Sequence, residues 1–131
     1  MTRFGNPPIY TMNLSAVMMQ KRQEEYPDMP ALNIVVVEPH STHTVGSTKV
    51  RFLPVTHSIP DSMAIVVETP YGNVIVTGDL KVEHVDDVPV PAEDKKWSAI
   101  GAEKNLLFIA DSTSAELDGF SVPEKKVRDN L

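Results

Sequence analysis

Met63-Ala64-Ile65-Val66-Val67-Glu68 is apolar up to its last residue, Pro70-Tyr71-Gly72-Asn73 comes next, and Val74-Ile75-Val76-Thr77 is apolar again. Two short apolar runs joined by a segment bearing proline and glycine read as a β-hairpin. Neither run alternates with polar residues. Both strands are therefore expected to be covered on both faces, inside a layered fold.

Upstream of the hairpin, Lys49 to Val55 alternates and reads as the preceding strand, and the β-branched run Asn33 to Glu38 as another. Ile9-Tyr10-Thr11 fits a short strand. Asn13 to Tyr26 has a helical pattern, with Asn13 as its cap, Leu14, Val17 and Met18 on one face, Met18-Met19 as packing residues, and Pro27 and Pro30 ending it. His40 to Gly46 reads as a polar turn and the acidic Val85 to Pro91 as a loop. Ala92 to Glu103 is expected to be helical, and Leu106 to Ala110 to be a short buried strand stopping at Asp111-Ser112-Thr113. The residues after Thr113 are polar, with Gly119 and Pro123 as breakers. Helix, strands, helix and strand in that order predict an α/β layered sandwich of mostly antiparallel hairpins with flanking helices.

The 131 residues are 41% hydrophobic and 23% charged, enough for one domain with a core. The absence of cysteine excludes disulfides, cysteine-ligated metals and a cysteine nucleophile. Net charge is −6, and no basic stripe is visible: Lys95-Lys96 is flanked by Glu93 and Asp94. Contact with a polyanion would need positive charge from metal ions or from sequence elsewhere. No apolar run approaches the roughly 20 residues that cross a bilayer. Met1 to Pro8 carries one Arg and no hydrophobic segment. A membrane association or a signal peptide is not expected, and a cytoplasmic location is.

Two polar clusters flank the hairpin: Thr56-His57-Ser58-Ile59-Pro60-Asp61-Ser62 before it and Thr77-Gly78-Asp79 after it. With the turn near Tyr71-Gly72, residue 63 falls opposite about residue 80. Asp79 then returns to the sheet end that His57 left. Imidazole nitrogen and carboxylate oxygen together suit Zn²⁺, or Mn²⁺ where oxygen dominates. From chemistry alone the signal is modest, and a loop-end histidine making one hydrogen bond and a turn carboxylate are the more ordinary readings of the pair. Asp61 could cap a turn or accept from backbone N–H groups. Asp111 closes a strand, where layered α/β folds keep functional groups, or else makes an Asx turn with Ser112 and Thr113. His40 and His43 read as solvated and His84 as a surface residue. No nucleophile elbow, phosphate-cradling glycine loop or dinucleotide fingerprint is present.

His57-Ser58-Ile59-Pro60-Asp61-Ser62, then Thr77-Gly78-Asp79-Leu80-Lys81, then Asp111-Ser112-Thr113-Ser114-Ala115-Glu116 resemble the ribonuclease J branch of the β-CASP metallo-β-lactamase superfamily. Pro8-Ile9-Tyr10 and the Gly119-Phe120…Glu124 stretch extend the likeness. The resemblance implies part of an αββα metallo-β-lactamase sandwich, holding two metal ions at one sheet edge in the whole protein. It implies His57 as a metal ligand, Asp79 as the carboxylate bridging both metals, and Asp111 as the acid that opens the β-CASP region. These three are the expected catalytic residues. Ser58, Asp61 and Ser112, in the same motifs, are expected to face substrate. The implied activity is metal-dependent hydrolysis of RNA phosphodiesters in RNA processing and decay.

The family's main metal motif, His-x-His-x-Asp-His, is absent, and His40 and His43 have the wrong spacing for it. The expectation is therefore a piece of a longer enzyme. Residues 1–112 correspond to the later part of the metallo-β-lactamase domain, and 113–131 to a link into a β-CASP region. Alone, such a chain is expected to be inactive, to bind zinc weakly, and to self-associate through uncovered sheet surface around Val35-Val36-Val37 and Ile65-Val66-Val67. Two alternatives stay open: a non-catalytic interaction module that kept half of the fold, and a small-molecule metallo-hydrolase of the same fold.

Overall fold

A computed structural model describes residues 5–130. The first half of the Met1 to Pro8 stretch, including Arg3, lies outside the described residues. The elements are β1 (Ile9–Thr11), α1 (Asn13–Gln23), β2 (Ile34–Val36), β3 (Thr42–Val45), β4 (Thr48–Pro54), β5 (Met63–Thr69), β6 (Gly72–Val76), β7 (His84–Val85), β8 (Val88–Pro89), α2 (Pro91–Gly101), β9 (Asn105–Ile109) and α3 (Glu124–Arg128). The main sheet has five strands in the order β3-β4-β5-β6-β9. All its pairings are antiparallel except β6–β9, which is parallel and is reached through the crossover helix α2. Strands β1 and β2 pair in parallel as a separate small sheet. This is the mixed, mostly antiparallel α/β architecture expected of part of a metallo-β-lactamase sandwich.

The apolar runs of the hairpin face two cores. Ala64 and Val66 of β5, Leu53 and Val55 of β4 and its extension, and Ile75 of β6 pack with Ile100 of α2, against which Trp97 and Leu80 close. On the opposite face Phe52, Val37 and Met12 form a second cluster, flanked by Val50, Met63, Ile65 and Tyr10. Side chains alternate between faces along a strand. A strand segment sandwiched between two cores must therefore be apolar at every position, as β5 is from Met63 to Val67. The turn is the two-residue Pro70-Tyr71, because Thr69 pairs with Gly72. Ile65 pairs with Val76, so the ladder places residue 63 opposite Gly78 and not residue 80.

Several expectations are corrected. Strand β3 occupies what read as a polar turn, and His43 stacks edge-on against Tyr10 and Phe52 at 5.7 and 5.5 Å, half-buried rather than solvated. The acidic loop folds into the tiny hairpin β7–β8, whose turn residues Asp86 and Asp87 adopt φ of 47° and 62°. Aspartate tolerates this left-handed conformation better than most residues do. In α1 the face expected to be buried is open: Val17 and Met18 are each 53% exposed, and Ala16 is the buried residue. Asn13 is the first helical residue and not the cap. Helix α1 stops at Gln23, before the prolines.

The largest correction is β9. It forms where expected, but Leu106, Leu107, Phe108 and Ile109 are 48–59% exposed. As the outer strand next to β6 it has one free edge. Of its side chains, Phe108 meets Trp97 edge-on at 6.1 Å. Of the stretches expected to be uncovered, Val37 and Val66 are buried, while Val36 is 48% exposed.

Candidate functional site

Strands β4, β6 and β9 run in the same direction, since each of β4 and β6 is antiparallel to β5 and β9 is parallel to β6. Their C-terminal ends therefore lie at one end of the sheet. His57 comes after β4, Asp79 after β6 and Asp111 after β9, each within three residues of the strand. Strand ends deliver functional side chains because the sheet fixes the last backbone unit and the loop aims the residues beyond it.

Local bonds fix this end. Lys81 N–H donates to the Thr56 carbonyl at 2.7 Å, forming an isolated antiparallel bridge beyond the ends of β4 and β6. Thr77 is fully buried, and its N–H donates to the Ile109 carbonyl at 3.0 Å. The Thr77 hydroxyl donates to the Gly78 carbonyl at 2.7 Å and accepts from the Asp111 N–H at 3.0 Å. One buried threonine thus ties the two aspartate-bearing strand ends together. His57, Asp79 and Asp111 line one open cleft of about 560 Å³. Its other walls come from Leu80 to Val82 and from the strap between Thr113 and Ser121.

The Asp111 carboxylate is turned into this cleft. It accepts from Thr113 N–H at 2.8 Å and from Leu80 N–H at 3.4 Å. The bonds from Thr113, then that from Leu80, and the nearby His57 hold its carboxyl below the ordinary range. The Nδ1 of His57 accepts a long 3.4 Å bond from Ile59 N–H. Ligation through Nε2 would put the proton on Nδ1 and break that contact, a small loss at such a distance. Asp79 is exposed on the cleft wall.

The donors are of the right kind for zinc, imidazole nitrogen with carboxylate oxygen. In number they fall short: among the described residues, no three or more His, Cys, Asp or Glu side chains gather to hold a metal ion. Among the described residues, Lys81 is the one lysine or arginine lining the cleft, against Asp79, Asp111 and Asp118.

The residues expected to face substrate separate. Ser58 is exposed at the site and donates to Glu124 Oε1 at 3.1 Å. Asp61 does not line the cleft; its Oδ2 accepts from Leu14 N–H and, at 3.2 Å, from Ser15 N–H, capping α1 from 46 residues away. The exposed Ser112 contributes its carbonyl to a turn, accepting from Ala115 N–H at 3.1 Å. His84 is a further correction: it is 7% exposed rather than at the surface, and its Nε2 donates to the Ser121 carbonyl at 2.7 Å. Lys81 and Glu124 stand in the quoted motif stretches, but the bonds that they and Glu93 make to the His57 loop were not legible, because their partners lie 25 to 66 residues away in the sequence.

The layered, mostly antiparallel α/β sheet is consistent with part of a metallo-β-lactamase-like fold. The particular likeness is to ribonuclease J. The chain is similar to Ribonuclease J 1 of Streptococcus pyogenes serotype M3, 34% identical over 129 residues that make up 97% of this chain and 22% of the relative. It is 34% identical to Ribonuclease J of Thermus thermophilus over 95% of its own length and 22% of the relative's. It is 32% identical to Ribonuclease J of Synechocystis over 98% of its own length and 20% of the relative's. No protein-family profile matches the chain. The sequence is ribonuclease J-like along nearly all of its length, and it spans about a fifth of the length of these curated relatives.

Proposed function

We propose that the cleft of His57, Asp79 and Asp111 is one share of the active site of a metal-dependent ribonuclease that hydrolyses RNA phosphodiester bonds. The observation that carries this reading is the convergence of three co-directional strand ends on one cleft, each delivering a residue of a stretch that resembles a ribonuclease J motif. His57 and Asp79 would hold zinc, or manganese, with Asp79 shared between two ions on this reading and the remaining ligands supplied by polypeptide outside these 131 residues. Bound metal would polarise a phosphate and activate water. Asp111, anchored by Thr77, Leu80 and Thr113, would orient the cleft wall rather than move.

The chain by itself is expected to be inactive, since its acidic balance repels RNA where no metal charge offsets it. Among the described residues no helix is long and apolar enough to cross a membrane, and the reading places the activity in the cytoplasm. The test is RNA cleavage by a polypeptide that carries this segment within a whole ribonuclease J. Asp79→Ala and His57→Ala should each abolish cleavage with the fold retained. Wild-type cleavage at matched metal content would refute the assignment.

A second reading, an interaction module, is favoured by one observation: the apolar outer strand β9 stands open along its free edge. Such an edge is a template for pairing. It is compatible with the enzymatic reading, because either the rest of a longer polypeptide or a second copy would cover it.

A further inference from the structure

His57 is held on both sides by glutamates remote in sequence. On one side, the hydroxyl of Thr56 donates to Glu93 Oε1, and Glu93 is buried at the start of α2. On the other, the hydroxyl of Ser58 donates to Glu124 Oε1 at 3.1 Å, and the same carboxylate oxygen takes the Lys81 ammonium. The second arrangement stands apart because Glu124 itself is anchored. Glu83 Oε2 accepts from the Glu124 N–H at 3.1 Å, and Glu83 Oε1 accepts from the Lys125 N–H at 3.3 Å. The neighbouring residue, His84, is packed against Phe120 at 4.8 Å and bonded to the Ser121 carbonyl. Glu83 and His84 thus hold the far end of the strap that walls the cleft, and Glu124 returns from that end to Ser58 and Lys81.

We propose that Glu124 is a positioning residue for the cleft: by holding Ser58 and Lys81 it fixes the loop that presents His57 and pairs the charge of a lysine that lines the cleft. Four observations support this role. Its side chain is only 13% exposed although it sits on a short surface helix. Its two partners are the residue next to His57 and the residue bridged to Thr56. Its backbone is capped by another carboxylate. Among the described residues, the Lys81 ammonium has no other acceptor. A carboxylate with both functions, ordering a ligand's loop and neutralising a competing ammonium, does what partners beyond the ligands do at metal centres, where their loss typically lowers affinity by about 10- to 100-fold. The proposal rests on the reading of His57 as a ligand.

Two arms keep the proposal and that reading apart. In the metal-free 131-residue chain, amide hydrogen exchange is compared between wild type, Glu124→Ala and Glu124→Gln. Glu124→Ala should speed exchange at residues 58, 59, 61 and 62 and at Lys81, with β5 and β6 amides unchanged. Glu124→Gln, which keeps an acceptor oxygen, should restore part of the protection. In the second arm, zinc alone is titrated while the His57 ring resonances are monitored. Glu124→Ala should weaken the His57-dependent affinity by about tenfold, with Glu124→Gln between. Exchange at the loop that ignores Glu124, or that rises equally across the sheet, overturns the proposal whatever zinc does. Loop protection that depends on Glu124 in a chain whose His57 never meets zinc leaves the latch standing and overturns the ligand reading instead.

Discussion

The N–H of Lys81 donates to the carbonyl of Thr56 at 2.7 Å, and this isolated bridge joins the segments that follow β4 and β6, past the end of the strand between them. Through it the loop bearing His57 and the strand end bearing Asp79 share one end of the sheet, though β5 separates their strands. Cleft, strap and latch are all built on that juncture.

Gly72 closes the hairpin at φ 141°, and a Cβ there would meet the Lys104 carbonyl oxygen at 2.9 Å and the Leu106 nitrogen at 3.1 Å. Both are backbone atoms at the start of β9, so neither can yield cheaply. Gly72→Ala should destabilise the chain by about 1 to 3 kcal/mol, from conformational strain alone, and should loosen β9 first. Urea unfolding and amide exchange at residues 105 to 109 measure both. An unchanged midpoint would show that β9 is not packed on Gly72.

Asp61 serves α1 and not the cleft. Asp61→Ala should cost about 0.5 to 2 kcal/mol, the usual range for loss of an N-terminal cap, with Asp61→Asn losing less. In a whole enzyme, cleavage by a folded Asp61→Asn variant should stay near wild type. A selective loss of cleavage at full stability would return Asp61 to the substrate side.

Glu93 gives the chain an acid-sensitive point. Burial opposes its charge, but hydrogen bonds from Thr56, Lys96 and Trp97 together with the Lys96 charge outweigh burial and hold its carboxyl below its ordinary value of 4.5. The folded-state value is depressed, so the stabilisation is complete above that ordinary value and is lost as pH falls through the folded one. Glu93→Gln should therefore be less stable at neutral pH and should flatten the acid limb of the stability profile. Parallel profiles for the two proteins, shifted by a constant, would contradict this.

The hairpin and the site motifs were legible because they are local. A proline-glycine turn between apolar runs fixes β5 and β6, and motif residues sit at fixed distances past strand ends. What escaped was set by contacts across the chain. Thr42 to Val45 is polar enough to read as a turn, yet pairs with β4 because the adjacent strand offers a free edge. The Asp86-Asp87 turn is acidic, yet its left-handed backbone closes a hairpin. Leu106 to Ile109 has a buried strand's composition and lies open, since composition records what a strand can bury and not what is present to cover it. Asp61 and Glu124 act on partners 46 and 66 residues away, beyond any periodicity.

An open apolar edge should show itself in solution. Light scattering on the 131-residue chain should find dimers or larger species, and Leu107→Glu or Phe108→Glu should shift them toward monomer. A wild-type chain that stays monomeric at high concentration would remove the second-copy reading of β9.

The most direct measurement of the central claim is a manganese titration of the chain, read through paramagnetic broadening of its assigned resonances. The account predicts weak binding, with His57, Asp79 and Asp111 broadened first and together, and the broadening at Asp79 lost in His57→Ala. Broadening spread over the acidic surface near Asp86 and Glu103, with the three cleft residues untouched, would contradict it.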